Sequence, residues 1–214
     1  MLRVLLGRLS PGTPKVAGQL GEETLRAILK RWAARGLVSR QRLLGWQWVV
    51  PTAKALQLVG LDLRPWTPVV PQLAHVHAVG VVRLAIEPTI PTGGRWVSER
   101  ELRRQASKAH VPDGAIELDE DADARLAGHG LVGEEVDRLA PRIAIEVELT
   151  RKNVAQLRDI LTRPRHGRWL RTVYYAPPEV AGYLAGQVAR IAPRHPVEVR
   201  PLPEVSGVTY GGAS

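Results

Sequence analysis

Arg142-Ile143-Ala144-Ile145-Glu146-Val147-Glu148-Leu149-Thr150-Arg151-Lys152 is the stretch whose reading decides the fold. Its odd positions Ile143, Ile145, Val147 and Leu149 are apolar, while Ala144, Glu146, Glu148 and Thr150 are small or polar. Period-2 alternation predicts a half-buried strand over 142–149, with Glu146 and Glu148 leaving from one face. Two like charges on neighbouring same-face positions repel, so a fold that keeps them calls for a cation between them. Earlier in the chain, Pro112-Asp113 supplies a third carboxylate from an expected adjacent strand. Three such groups would form a hard-oxygen site suited to Mg²⁺ or Mn²⁺, the chemistry of a metal-dependent phosphodiesterase. The plainer alternative makes Asp113 part of a turn, since proline is awkward in a central strand. It makes Glu146 and Glu148 a solvated face paired with Arg142, Arg151 and Arg158.

Outward from that strand, the pattern predicts strands over 95–105 and 109–118, then an acidic loop over 119–141. Thr150 is placed to cap a helix that turns Val154, Leu157, Ile160 and Leu161 inward. A strand over 172–176, a helix over 179–191 and a last strand over 197–202 follow, with a frayed tail from Glu204. Before all of these, Gln72 to Glu87 reads as a helix apolar nearly all round and therefore buried. His75 and His77 on it lie two apart, point to different faces and are expected to be packed rather than metal-binding.

The N-terminal part reads differently. Gly21-Glu22-Glu23-Thr24 opens a helix with acidic residues at its positive end. Leu25, Ile28, Leu29 and Trp32 form its buried stripe, and Gly36 its stop. Residues 37–50, with a turn near Gly45, predict a β-hairpin, and Ala53 to Val59 a short closing helix. Helix, hairpin, helix is the order of a winged helix-turn-helix, although Pro11-Gly12-Thr13-Pro14 interrupts the segment where earlier helices would lie. In that reading Arg26, Lys30, Arg31 and Arg35 approach the major groove, and Arg40 and Arg42 on the wing meet phosphate. The alternative use of such a module is packing between domains or dimerisation, giving a homodimer. Gly60, Pro65, Pro68 and Pro71 mark a linker.

Composition narrows the partner. The net charge of +9 is uneven: residues 1–68 carry 11 basic and 3 acidic side chains, residues 119–141 carry 2 and 7. A basic field of this kind fits a polyanion, and DNA is the expected partner. There is no cysteine, which excludes disulfides and thiolate zinc sites and makes a cytoplasmic location the expectation. No apolar run approaches the ~18–20 residues of a membrane helix, so no membrane association is expected. Met1 to Ser10 is too short and arginine-interrupted for a signal peptide.

The order helix, three strands, helix, strand, with Pro-Asp on the second strand and Glu-x-Glu on the third, resembles the PD-(D/E)xK nuclease superfamily over residues 72–176. A winged helix followed by Trp96-Val97-Ser98-Glu99-Arg100, His110-Val111-Pro112-Asp113-Gly114 and Glu146-Val147-Glu148-Leu149-Thr150-Arg151-Lys152 is similar to the replication-relaxation family of bacterial plasmids and other mobile elements. That resemblance implies an α/β protein with a winged-helix domain (1–68), a nuclease-like α-β-β-β-α-β domain with a mixed sheet (69–203) and a flexible tail (204–214). It makes Asp113 and Glu146 metal-binding acids. Glu148 stands where the superfamily normally has lysine, and Lys152 would supply the missing positive charge. Glu87 or Glu99 is the candidate auxiliary carboxylate. Gln156 matches a helix glutamine of some members, but the tyrosine that can follow it is Ile160 here. The implied catalytic set is Asp113, Glu146, Glu148 and Lys152, with Mg or Mn held by the three acids and generating a hydroxide. The function implied is cleavage or nicking of DNA in replication or transfer of a mobile element. A non-catalytic DNA-binding regulator on the same scaffold is the alternative.

Overall fold

The computed structural model describes residues 15–16, 19–105, 110–119, 141–162 and 169–204. Most of the expected acidic loop and the tail beyond Glu204 lie outside the described residues. The chain divides into two compact units, the first reaching Val76 and the second beginning at His77. The division falls inside a helix, later than the 68/69 boundary expected from the prolines.

In the first unit, β1 (Lys15–Val16) pairs antiparallel with β2 (Gln19–Leu20). Helix α1 (Glu22–Ala34) follows, with Glu22 and Glu23 in its first turn. It ends where Gly36 takes a φ of 66°. There the Gly36 N–H bonds to the Ala33 carbonyl at 2.9 Å and the Leu37 N–H to Trp32 at 2.9 Å. This double closure needs a left-handed residue, which glycine supplies without steric cost. Strands β3 (Val38–Leu43) and β4 (Trp46–Pro51) then pair antiparallel from Val38↔Pro51 to Leu43↔Trp46. Thr52 joins the hairpin to α2 (Ala53–Leu58). Its side chain accepts from the Ala55 N–H at 3.3 Å and donates to the Gly36 carbonyl at 2.6 Å, tying the start of α2 to the end of α1. Lys54 adds a bond to the Arg35 carbonyl at 2.9 Å. Within the linker, Trp66 stands edge-on to Trp48, ring centres 6.1 Å apart.

Helix α3 (Leu73–Ile86) spans the division between the units. In the second unit, strands β5 (Arg95–Ser98), β6 (Gly114–Glu117), β7 (Arg142–Val147), β8 (Trp169–Ala176) and β9 (Val197–Pro201) form one mixed sheet in that order. The first two pairings are antiparallel and the last two parallel. Parallel neighbours need crossovers, and α5 (Val154–Thr162) and α6 (Pro178–Ile191) provide them. Ile143, Ile145 and Val147 pack with Val173, Tyr175 and with Ala78 and Val82 of α3. On the other side Tyr174 and Ala176 pack with Leu157, Leu161, Val180 and Leu184 of α5 and α6. The sheet is therefore an inner layer between helices.

Four expectations change. The strand expected over 95–105 stops at Ser98 and becomes helix α4 (Glu99–Gln105). The cause is local: the Ser98 hydroxyl caps the Glu101 N–H at 3.4 Å, and Glu101 accepts from the Ser98 N–H at 3.1 Å, a reciprocal capping box. Strand β7 is not half-buried. It lies between two neighbours with helices over both faces, and Ile143 to Val147 are all buried. Asn153, not Thr150, caps α5, its side chain accepting from the Ala155 N–H at 2.8 Å. Val154 in that first turn is exposed rather than inward.

Candidate functional site

Glu146 and Glu148 are the buried charged side chains among the described residues, 3% and 7% exposed. Removing a carboxylate from water costs several kcal/mol, of order 3–5 if its partner is lost, so each must be compensated. Glu146 meets His110, whose Nε2 lies 2.8 Å from its Oε1. Glu148 forms an ion pair with Lys152, four residues on, and its backbone N–H bonds to the Tyr175 carbonyl at 2.9 Å. The third acid, Asp113, accepts the Val147 N–H at 2.7 Å. Asp113 is thus tied by a backbone hydrogen bond to the end of the central strand that carries Glu146 and Glu148.

The local sequence explains this arrangement. Pro112, fully buried, precedes the first residue of β6, so its missing N–H removes nothing from the ladder. Gly114, the first residue of β6, is required there, because a Cβ would lie 2.2 Å from the Trp96 ring. Lys152 sits in the loop before α5, not in the helix itself, and its carbonyl accepts the Tyr183 hydroxyl at 3.0 Å. The Arg151 guanidinium lies 5.4 Å over the Tyr183 ring. That loop is thereby fastened to α6, which steadies Lys152 against Glu148.

Two arginines of the plainer alternative have partners elsewhere, Arg151 over Tyr183 and Arg142 on Glu117. Arg142 forks onto Glu117, its Nε 2.8 Å from Oε2. Arg95 approaches the other oxygen of Glu117 at 2.8 Å and also reaches Glu101 at 3.1 Å. Burial pushes the Glu117 carboxyl up, but the hydrogen bond and charge of Arg142, then those of Arg95, outweigh it and hold it below the usual range. The candidate auxiliary acids are engaged on their own helical turns, Glu87 with Arg83 at 2.9 Å and Glu99 with Arg103 at 2.6 Å. Gln156 is exposed on α5.

For a divalent ion the donor chemistry is suitable, being rich in carboxylate oxygen. The geometry is not: among the described residues no three His, Asp or Glu side chains are grouped so as to hold one. Lys152 and His110 occupy the positions of counter-groups to Glu148 and Glu146. As they stand the residues do not fit a bound metal. His110, within the His-Val-Pro-Asp-Gly segment, is the site residue that pattern and spacing leave without a role.

The six basic residues expected to meet DNA are all exposed: Arg26, Lys30, Arg31 and Arg35 on or just beyond α1, Arg40 and Arg42 on β3. Arg26 is paired with Glu22 at 2.5 Å. His75 and His77 are both half-buried on α3. No helix among the described residues is long and apolar enough to cross a membrane. Comparison of the chain with protein-family models, curated proteins and solved structures found no match.

Proposed function

We propose that this chain is a DNA-binding protein in which a winged helix-turn-helix unit is joined to a nuclease-like α/β unit, acting as a regulator or accessory factor in the replication or transfer of a mobile element. The observation that carries the DNA reading is the set of six exposed cationic side chains on one helix and the adjoining hairpin strand. Such groups bind by neutralising phosphates and releasing their counterions. The strand order, with two antiparallel and then parallel pairings around the central acidic strand, supports the nuclease-like reading of the second unit. The non-catalytic form is preferred because Lys152 and His110 already answer Glu148 and Glu146.

A second reading, Mg²⁺- or Mn²⁺-dependent DNA cleavage at Asp113, Glu146 and Glu148, is favoured by one observation. Two carboxylates are kept buried two residues apart, where apolar side chains would cost less. Incubating supercoiled plasmid with the wild type and either ion separates the two. Intact plasmid that is nonetheless bound supports the accessory role. Nicked or linear product that disappears in Asp113→Ala and Glu146→Ala supports cleavage.

A further inference from the structure

We propose that the exposed ridge of α1 reads base edges in the major groove of duplex DNA, with Glu23 selecting cytosine; this rests on the DNA-binding reading and names what the helix recognises. Leu25, Ile28, Leu29 and Trp32 lie on the inward side of α1, each buried or half-buried. A helix of about 3.6 residues per turn sets Glu23, Ala27, Lys30 and Ala34 on the opposite side, and all four are exposed. Arg26 and Arg31, also exposed, flank this ridge to either side. The pattern fits a groove. The flanking arginines face the phosphates of its two walls, and the alanines let the helix backbone come close to the base pairs.

A polyanion repels a carboxylate, yet Glu23 stands on the ridge of this cationic face. Glu22 is answered by Arg26 at 2.5 Å, whereas Glu23 has no ion pair with another described residue. The helix dipole favours an acid in the first turn but does not select this side of the helix. In the major groove, cytosine N4 and adenine N6 are the donors a carboxylate can meet. Adenine sets its N7 acceptor beside N6 and repels the second carboxylate oxygen, so cytosine is the base assigned. Lys30 is seven residues further on, about 10 Å along the axis, or roughly three base pairs. A guanine there, with O6 and N7 both acceptors, suits its ammonium.

The test uses the full chain and a randomised duplex library whose bound fragments are sequenced, followed by fluorescein-labelled duplexes read by anisotropy. The wild type should select cytosine at one position and guanine about three base pairs away. Exchanging that C·G pair for T·A should weaken binding about 5- to 150-fold. Glu23→Gln should move the preference at this position to adenine, which glutamine pairs bidentately. Glu23→Ala should abolish the preference. Its affinity for duplexes lacking the cytosine should stay the same or rise, since a negative charge has left the contact face. An unaltered preference in both variants overturns the inference, even where they unfold at a lower temperature, since Glu23 would then serve the helix alone. A wild type that binds duplex with no preference at any position also overturns it and leaves the DNA-binding reading standing. A wild type that binds no duplex overturns both.

Discussion

The carboxylate of Asp113 accepts the backbone N–H of Val147 at 2.7 Å, so the residue before β6 latches the strand end that carries the two buried glutamates. Leaving a buried N–H without its partner costs about 1–3 kcal/mol. Asp113→Ala should lose about that much in urea unfolding, and Asp113→Asn, which retains an acceptor oxygen, appreciably less. Equal stability of Asp113→Ala and wild type would show that the latch contributes nothing.

Lys152 stands against Glu148 and His110 against Glu146, and double-mutant cycles measure each pairing directly. Lys152→Ala should destabilise by about 1–3 kcal/mol, the lower part of the range for breaking a buried pair because the lysine is partly exposed. Adding Glu148→Gln should recover most of that loss, since the orphaned charge is then gone. His110→Ala with Glu146→Gln should behave alike. Strictly additive losses would refute the pairing.

The Glu117 cluster predicts a pH dependence of known sign. Its carboxyl is held low by Arg142 and Arg95, so its contribution is complete above the unfolded carboxylate value of about 4.3. That contribution is lost as pH falls through the still lower folded value. The stability gap between wild type and Glu117→Gln should therefore be full at neutral pH and close as the solution is acidified below about 4. A gap that widens in acid would contradict the assignment of the pair.

How much of this was legible in the sequence follows from where the signals were local. The alternation around Glu146 locates β7 and the face its carboxylates share, because side-chain period is a property of the strand itself. It does not say that the even face is also covered, since Leu157, Leu161, Val180 and Leu184 come from helices further along the chain. The break at Ser98 was readable as a Ser-x-x-Glu capping box, but the apolar Trp96-Val97 before it suggests a longer strand. The placement of Lys152 follows from Asn153 rather than Thr150 starting α5. His110 on Glu146 is a contact across 36 residues, which no spacing rule anticipates. Beside the buried carboxylates the chain places Lys152 against Glu148 and His110 against Glu146.

We propose that the first unit binds DNA through its exposed basic residues. The direct measurement is the affinity of the full chain for a labelled duplex across a salt series, for wild type and for Arg40→Ala combined with Arg42→Ala. Log affinity should fall linearly and steeply with log salt, and removing the two arginines should lower the slope by about 2. Absence of binding even at low salt, or a slope untouched by the double substitution, would contradict it.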